Sequence, residues 1–353
     1  MVKKNTILVA ALHWGLGHAT RCIPIIRELL KCNYNVIIAS DGAALLLLQK
    51  EFPKLNSIEL PSYNITYPLH GKNFKWKLFS KIPNIKKVIA SEKRIIDKLV
   101  SEEKIQGLIS DNRFGVRNNK VPSVYLTHQL KVLTGSTTFF SSKKHQSIIR
   151  KFDECWVPDL KGPLNFSGKL GHLKHSELNI KYIGPLSRMK KINLTIKYDV
   201  FILLSGPEPQ RSLFENILIN SLRGEKLSVI LVQGLVETEQ KKHQIDNLTI
   251  YNYMESEEIE KTINTSEIVI SRSGYTTIMD LAALEKKVFF IPTPGQYEQE
   301  YLAKRLKKLD LVPYCDQEDF SIEKLDKIIR YKGLNSLSNN TDFKELFHLF
   351  EGE

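Results

Sequence analysis

The chain has 353 residues, enough for two domains of ordinary size. Hydrophobic residues make up 42% and charged residues 25%, as in globular proteins, and no apolar run approaches the roughly 20 residues that span a bilayer. The net charge of +12 calls for an anionic partner, and nucleic acid, anionic lipid and a nucleotide-linked substrate all qualify.

Met1 to Thr6 leads directly into a strand and is too short for a secretory signal, so a cytoplasmic location is expected. Cys22, Cys32, Cys155 and Cys315 are scattered with no CxxC pair, which predicts free thiols and neither a zinc site nor a disulfide framework. Ile7 to Leu12 reads as a strand. It runs into His13-Trp14-Gly15-Leu16-Gly17-His18-Ala19-Thr20-Arg21 and a helix with Ile23, Ile26, Leu29 and Leu30 on its apolar side. Gly15 and Gly17 permit a tight turn and close approach of a ligand, although neither GxGxxG nor a Walker motif is present. Val36 to Ala39 is the next strand, closed by Asp41-Gly42, and a Leu-rich helix follows from Ala43 to Gln49. This β-α-β-α opening predicts a doubly wound parallel sheet, with ligands at the carboxyl ends of its strands. His18 lies there and suits a general base; a hydrogen bond to phosphate or a helix cap would suit it as well. His13 reads as a structural or rim residue.

Residues 72–98 carry nine Lys/Arg against Glu92 and Asp97, with Phe74, Trp76 and Phe79 among the cations. Such a stretch suits an anionic membrane surface, and equally a solvated basic helix with its aromatics packed inward. No recognised nucleic-acid module accompanies it, so no nucleic-acid partner is expected. Leu108 to Asp111 is a strand ending in an acid; Asp111 is a second candidate base, or a structural cap of the next turn. Ser123 to Thr127 is a strand ended by His128-Gln129. Residues 155–158 and 181–183 read as the last strands of a first domain, 1–183, and 184–198 as a linker. A second domain, 199–335, opens with the strand Asp199 to Leu204. In the following turn the N–H groups of Ser205 and Gly206 could hold a phosphate, with Arg211 adding charge. Ser228 to Val232 and Leu248 to Tyr253 are further strands, 317–331 a helix, and 336–353 a C-terminal segment with a helix from Asp342 to Phe350.

Ile268 to Tyr301 repeats the strand–turn–helix pattern: Ile268-Val269-Ile270, the turn Ser271 to Gly274, and a helix from Thr276 to Glu285. A helix start offers free N–H groups and the positive end of the dipole to a phosphate. Gly274 admits the anion, Thr276 and Thr277 add hydroxyls, and Asp280 could meet ribose hydroxyls.

Arg272-Ser273-Gly274, Thr276-Thr277 and the acid eight residues after the Arg resemble the donor half of GT-B glycosyltransferases of the MurG type. Gly17-His18 resembles the Gly-His loop of the same family. The resemblance implies an α/β, GT-B architecture of two doubly wound, Rossmann-like domains facing a cleft, with the final helix crossing back to the first. It implies Asp280 on the ribose, Gln299 on the donor sugar, Tyr253 and Met254 against the base, and Arg188 near the phosphates. His128 and Gln129 would lie on the acceptor side. Asp280 stands where the family usually has Glu, and Glu300 where it has Gln, which leaves the sugar open. The implied reaction is inverting transfer from a UDP-linked sugar to a hydroxyl acceptor, such as a lipid-linked one, with His18 or Asp111 as base and closure about the linker. With no Asp-x-Asp segment, no metal or other cofactor is expected. Gly15 to Cys22 also looks like the loop of nucleotide-sugar hydrolases of sialic-acid-like pathways. A nucleotide-sugar hydrolase or epimerase is therefore the alternative, with a non-catalytic nucleotide-sugar-binding protein as a third reading.

Overall fold

The computed structural model describes residues 4–64, 82–206, 208–335 and 341–351. Phe74, Trp76 and Phe79, and Pro207, lie outside them.

The first sheet holds seven strands in the order β3-β2-β1-β4-β5-β6-β7. They are β1 (Thr6–Ala11), β2 (Asn35–Ser40), β3 (Asn56–Glu59), β4 (Gly107–Asp111), β5 (Ser123–Leu126), β6 (Glu154–Val157) and β7 (Ile180–Tyr182). Every pair is parallel. Parallel strands need covering on both faces, and the apolar runs show it: Ile7 to Ala11 are all fully buried. The helices are α1 (Gly17–Lys31), α2 (Gly42–Glu51), α3 (Ile82–Ser101) and α4 (Thr138–Ile149). Pro24 is accommodated within α1.

The second sheet has six strands in the order β10-β11-β9-β8-β12-β13. They are β8 (Tyr198–Leu203), β9 (Val229–Val232), β10 (Lys242–Ile245), β11 (Leu248–Tyr251), β12 (Ser266–Ser271) and β13 (Lys287–Phe290). Only the β10–β11 hairpin at the edge is antiparallel. Its helices are α5 (Gln210–Leu222), α6 (Ser256–Asn264), α7 (Tyr275–Ala283) and α8 (Tyr297–Lys308). The helix expected over 317–331 is instead two 3-10 segments, 317–319 and 322–330. Among the described residues no helix is long and apolar enough to cross a membrane.

In each sheet the strand order reverses once beside the first strand, between β1 and β4 and between β8 and β12. The loops leaving neighbouring strands diverge at such a point and open a crevice. His18 and Asp111 border the first crevice; Ser205-Gly206 and Gly274 border the second.

The chain ends on the first domain. Helix α9 (Phe343–Phe347) and the 3-10 turn His348–Phe350 pack on Trp156, which is fully buried. Ring centroids of Phe347 and Phe350 lie 6.1 and 6.2 Å from its own. Asn5 Nδ2 and Tyr34 OH donate to the carbonyls of Phe350 (2.7 Å) and Phe347 (3.1 Å). A Cβ on Gly107 would meet Phe350 at 2.4 Å, so β4 needs glycine there. Deleting a buried aromatic leaves a cavity costing about 3–5 kcal/mol. Phe347→Ala should lower the unfolding free energy by about that amount, read from the urea midpoint.

Candidate functional site

Asp111 ends β4 and is fully buried. Its carboxylate accepts from Arg21 Nε and NH2 of α1, and from Asn112 Nδ2 at 2.9 Å. His18, at the start of the same helix, places Nδ1 2.7 Å from Asp111 Oδ1. Arg21 NH2 also reaches that nitrogen, at 2.9 Å, and the shorter, charge-assisted contact to Asp111 decides its proton. A carboxylate can only accept, so Nδ1 carries the proton and the Nε2 lone pair is left free. Burial lowers the His18 pKa; Asp111 opposes this and Arg21 reinforces it, and the net value is below the ordinary 6.5. The imidazole is thus neutral at pH 7. Burial opposes the charge on Asp111 too, but Arg21 and His18 outweigh it and hold the carboxyl well below its usual range. This corrects one expectation: Asp111 is sealed from solvent and cannot itself reach an acceptor hydroxyl. It orients His18, whose side chain is 18% exposed.

Arg21 NH1 donates to His128 Nδ1 at 2.7 Å. Arginine has no acceptor, so His128 must carry its proton on Nε2, which donates to Glu298 Oε1 at 2.7 Å. Gln129 Nε2 donates to the other oxygen of Glu298. Glu298 belongs to the first turn of α8, so this contact crosses between the domains. His128 also stacks flat on Tyr275 of α7, centroids 4.3 Å apart. Two further bonds close the seam: Thr276 Oγ1 donates to the Gly17 carbonyl at 3.0 Å, and Tyr275 OH to the Pro158 carbonyl at 2.9 Å. The starts of α1 and α7 therefore face each other. Sequence reasoning missed Arg21 and Glu298; the one signal was an acid in the first turn of a helix, where the dipole favours it.

The donor-side candidates divide into two groups. Gly15 (φ +86°) and Gly206 (φ +100°) have nothing within 4 Å of where a Cβ would stand. They share the cleft with Ser205, Gly274 at the N-cap of α7, and half-buried Thr277. Gly17 is close-packed, its Cβ position 3.3 Å from Thr276 Oγ1.

The other donor-side candidates hold partners within the protein. Arg272 is fully buried, donating to the carbonyls of Ile291, Pro292 and Gln210 and to Gln317 Oε1, with its guanidinium 3.9 Å over Phe214. Burial lowers its pKa to about 9. It ties loops together behind the cleft. Arg211 pairs with Glu208 and, at 2.9 Å, with Glu215. Asp280 accepts from Ser187 Oγ (2.8 Å) and Arg188 N (3.3 Å), so it fixes the linker; burial raises its pKa. Arg188 NH1 donates to Ser256 Oγ at 2.9 Å. Ser273 Oγ donates to the Gln299 carbonyl (2.8 Å), Gln299 Oε1 accepts from Thr293 N (2.8 Å), and Glu300 Oε1 from Gly295 N (2.9 Å). These three shape the loop before α8. Tyr253 and Met254 are buried, and Tyr253 OH accepts from Lys50 Nζ at 2.9 Å. Among the described residues no group of three or more His, Cys, Asp or Glu could hold a metal ion.

Residues 208–350 match the glycosyltransferase family 28 C-terminal domain. A Sulfurihydrogenibium sp. UDP-N-acetylglucosamine–N-acetylmuramyl-(pentapeptide) pyrophosphoryl-undecaprenol N-acetylglucosamine transferase is 29% identical over 39% of this chain and 40% of its own length. The transferase of the same name from Clostridium tetani is 24% identical over 96% of this chain and 94% of its own. These matches support a MurG-like glycosyltransferase of the GT-B fold. Acinetobacter baumannii MurG superposes with a TM-score of 0.52 at 15% identity, over 93% of this chain and 90% of that one. The spinosyn forosaminyltransferase SpnP does so with 0.64 at 11% identity, over 99% and 100%. At such identities the superpositions speak for the fold alone.

The lowered carboxyl pKa values of Asp111 and Glu298 make a stability prediction. A depressed carboxyl stabilises the fold fully above its unfolded value and loses that contribution as pH falls through the folded one. Asp111→Asn, which leaves Arg21 unpaired, should cost about 3–5 kcal/mol at pH 7. The gap from wild type should narrow below about pH 4, where the unfolded carboxyl takes up its proton. Urea midpoints from pH 3 to 7 measure this; a constant gap would contradict it.

Proposed function

We propose that the protein moves a sugar from a UDP-linked donor to a hydroxyl acceptor by a single, inverting, metal-independent displacement. The observation that carries the reading is the placement of neutral His18, held through Nδ1 by Asp111, directly across from the N-terminal turn of α7. In the proposed step His18 Nε2 takes the acceptor proton and the acceptor oxygen bonds to the anomeric carbon. The bond from that carbon to the diphosphate breaks on the opposite face, and its electron pair leaves with the nucleotide. The negative charge meets the free N–H groups and dipole at the start of α7 and the Ser205-Gly206 turn. UDP as the nucleotide is supported by the substrates named for the Sulfurihydrogenibium and Clostridium relatives.

Those names also support a lipid-linked acceptor. Exposed Lys86, Lys87, Arg94 and Lys98 on α3 give the first domain a cationic edge of the kind that meets anionic lipid.

The test is a product assay with purified protein, a panel of nucleotide sugars and membrane lipid extract, following free nucleotide and labelled lipid. Lipid-dependent release, with an inverted anomeric coupling in the product, is expected. Losing a general base typically costs 10²–10⁴-fold, and His18→Ala should do so here. Because the base must be neutral and its pKa is lowered, the rate should rise with pH and reach half its maximum below pH 6.5. Chelator should leave the rate unchanged; loss restored by magnesium would refute metal independence. Nucleotide release at full rate without acceptor would establish a hydrolase instead.

A further inference from the structure

Helix α8 turns one stripe toward the first domain. Glu298, Tyr301 and Arg305 stand three and four positions apart, so they share a face, beside the buried Leu302, Ala303 and Leu306. Each of the three crosses the seam. Glu298 meets His128 and Gln129 as described. Tyr301 OH accepts from Lys169 N at 2.9 Å, and Lys169 Nζ lies 4.7 Å over its ring. Arg305 NH2 donates to the Asn165 carbonyl at 3.0 Å and to Asn165 Oδ1 at 3.2 Å.

Asn165 and Lys169 belong to the loop that leaves β6, and bonds within the first domain fix that loop. Asp159, fully buried, accepts from the N–H groups of Leu160 (2.9 Å), Phe166 (3.1 Å) and Ser167 (2.9 Å), from Ser167 Oγ, and from His172 Nε2 (3.2 Å). Asn165 Oδ1 accepts from Gly168 N at 2.8 Å. Gly168 has φ +53°, and a Cβ there would collide with the Tyr301 hydroxyl and stand 2.9 Å from Arg305 Cδ. The loop is a preformed socket with room for two side chains of α8.

The first turn of α8 is tied to the donor side. Ser273 Oγ donates to the Gln299 carbonyl, and Gln299 Oε1 accepts from Thr293 N, so this turn moves with the Ser273-Gly274 turn before α7. Seating α8 in the socket therefore fixes the start of α7 opposite His18.

We propose that Tyr301 and Arg305 are positioning residues for the transfer: docked in the Asp159–Leu170 loop, they let the first domain set where the donor stands. The inference rests on the transfer reading above and adds the contact that aligns the two halves of the site. It separates two events. The nucleotide binds to second-domain groups, and alignment with the base uses the socket. Loss of a socket contact should then lower kcat and spare UDP affinity.

Amide hydrogen exchange on the full chain reads the docking, the transfer assay reads kcat, and calorimetry reads UDP binding. Tyr301→Phe removes only the hydroxyl. It should speed exchange at Lys169 N–H and lower kcat, each about fivefold, the scale of one neutral hydrogen bond, with the UDP Kd changed by less than about twofold. Arg305→Gln should lower kcat in the same way. Gly168→Ala should do so from the other domain, and Tyr301→Phe covers the case in which it does not fold. Unchanged exchange at Lys169 in Tyr301→Phe would overturn the docking. Unchanged kcat, or a UDP Kd that rises as far as kcat falls, would overturn the positioning role. Wild type that binds UDP and transfers no sugar overturns the transfer reading instead, and exchange at Lys169 still decides the docking.

Discussion

The carboxylate of Asp111 is the constraint from which the site follows. A fully buried charge costs several kcal/mol unless it is paired and hydrogen-bonded. Here Arg21, His18 and Asn112 all supply donors. Two of them come from α1, so satisfying the charge also pins the helix to the end of β4. The His13–Gly17 loop must then span from β1 to a helix whose position is already set. Gly15 at φ +86° allows that path with open space beside it, and His18 is left with one nitrogen held and one free.

The same ion pair reaches the second domain. Because a guanidinium only donates, Arg21 dictates the tautomer of His128, and His128 in turn requires an acceptor on its far side. Glu298 supplies it from α8. The carboxylate is stable there for two reasons: it sits in the first turn of a helix, and His128 and Gln129 both reach it. The orientation of the base is thus coupled to the approach of the donor domain through three side chains.

What the sequence made legible was local. Alternating short apolar runs and glycine turns at Gly15-Gly17, Ser205-Gly206 and Ser273-Gly274 mark two parallel sheets, and each turn does lie at a switch point. His18 could be singled out because a titratable ring at such a turn is unusual. Its partner role with Asp111 could not, since the two are 93 positions apart and only the pairing of β1 with β4 brings them together. Glu298, 170 positions from His128, was beyond reach for the same reason. The role of Arg272 was not legible either, since its partners come from three separate loops. Burial and four acceptors around it make it a brace. Arg211 is likewise paired, with Glu208 and Glu215 one turn away on either side.

The braces explain how two sheets can share one cleft without fusing into a rigid block. Asp280 holds the linker at Ser187 and Arg188, so the hinge strand is fixed to the second domain. Glu51 of α2 accepts from the N–H and hydroxyl of Ser256 at the start of α6, and Lys50 reaches the Tyr253 hydroxyl. With the Gly17–Thr276 and His128–Glu298 contacts, these polar bonds, each worth about 0.5–1.5 kcal/mol net, join the domains beside an apolar cluster that both share. Water can replace such bonds when the domains part, whereas the buried Asp111 and Arg272 clusters would be costly to open. Parting of the domains at this seam would separate Glu298 from His128 while leaving the Asp111–His18 pair intact within the first domain.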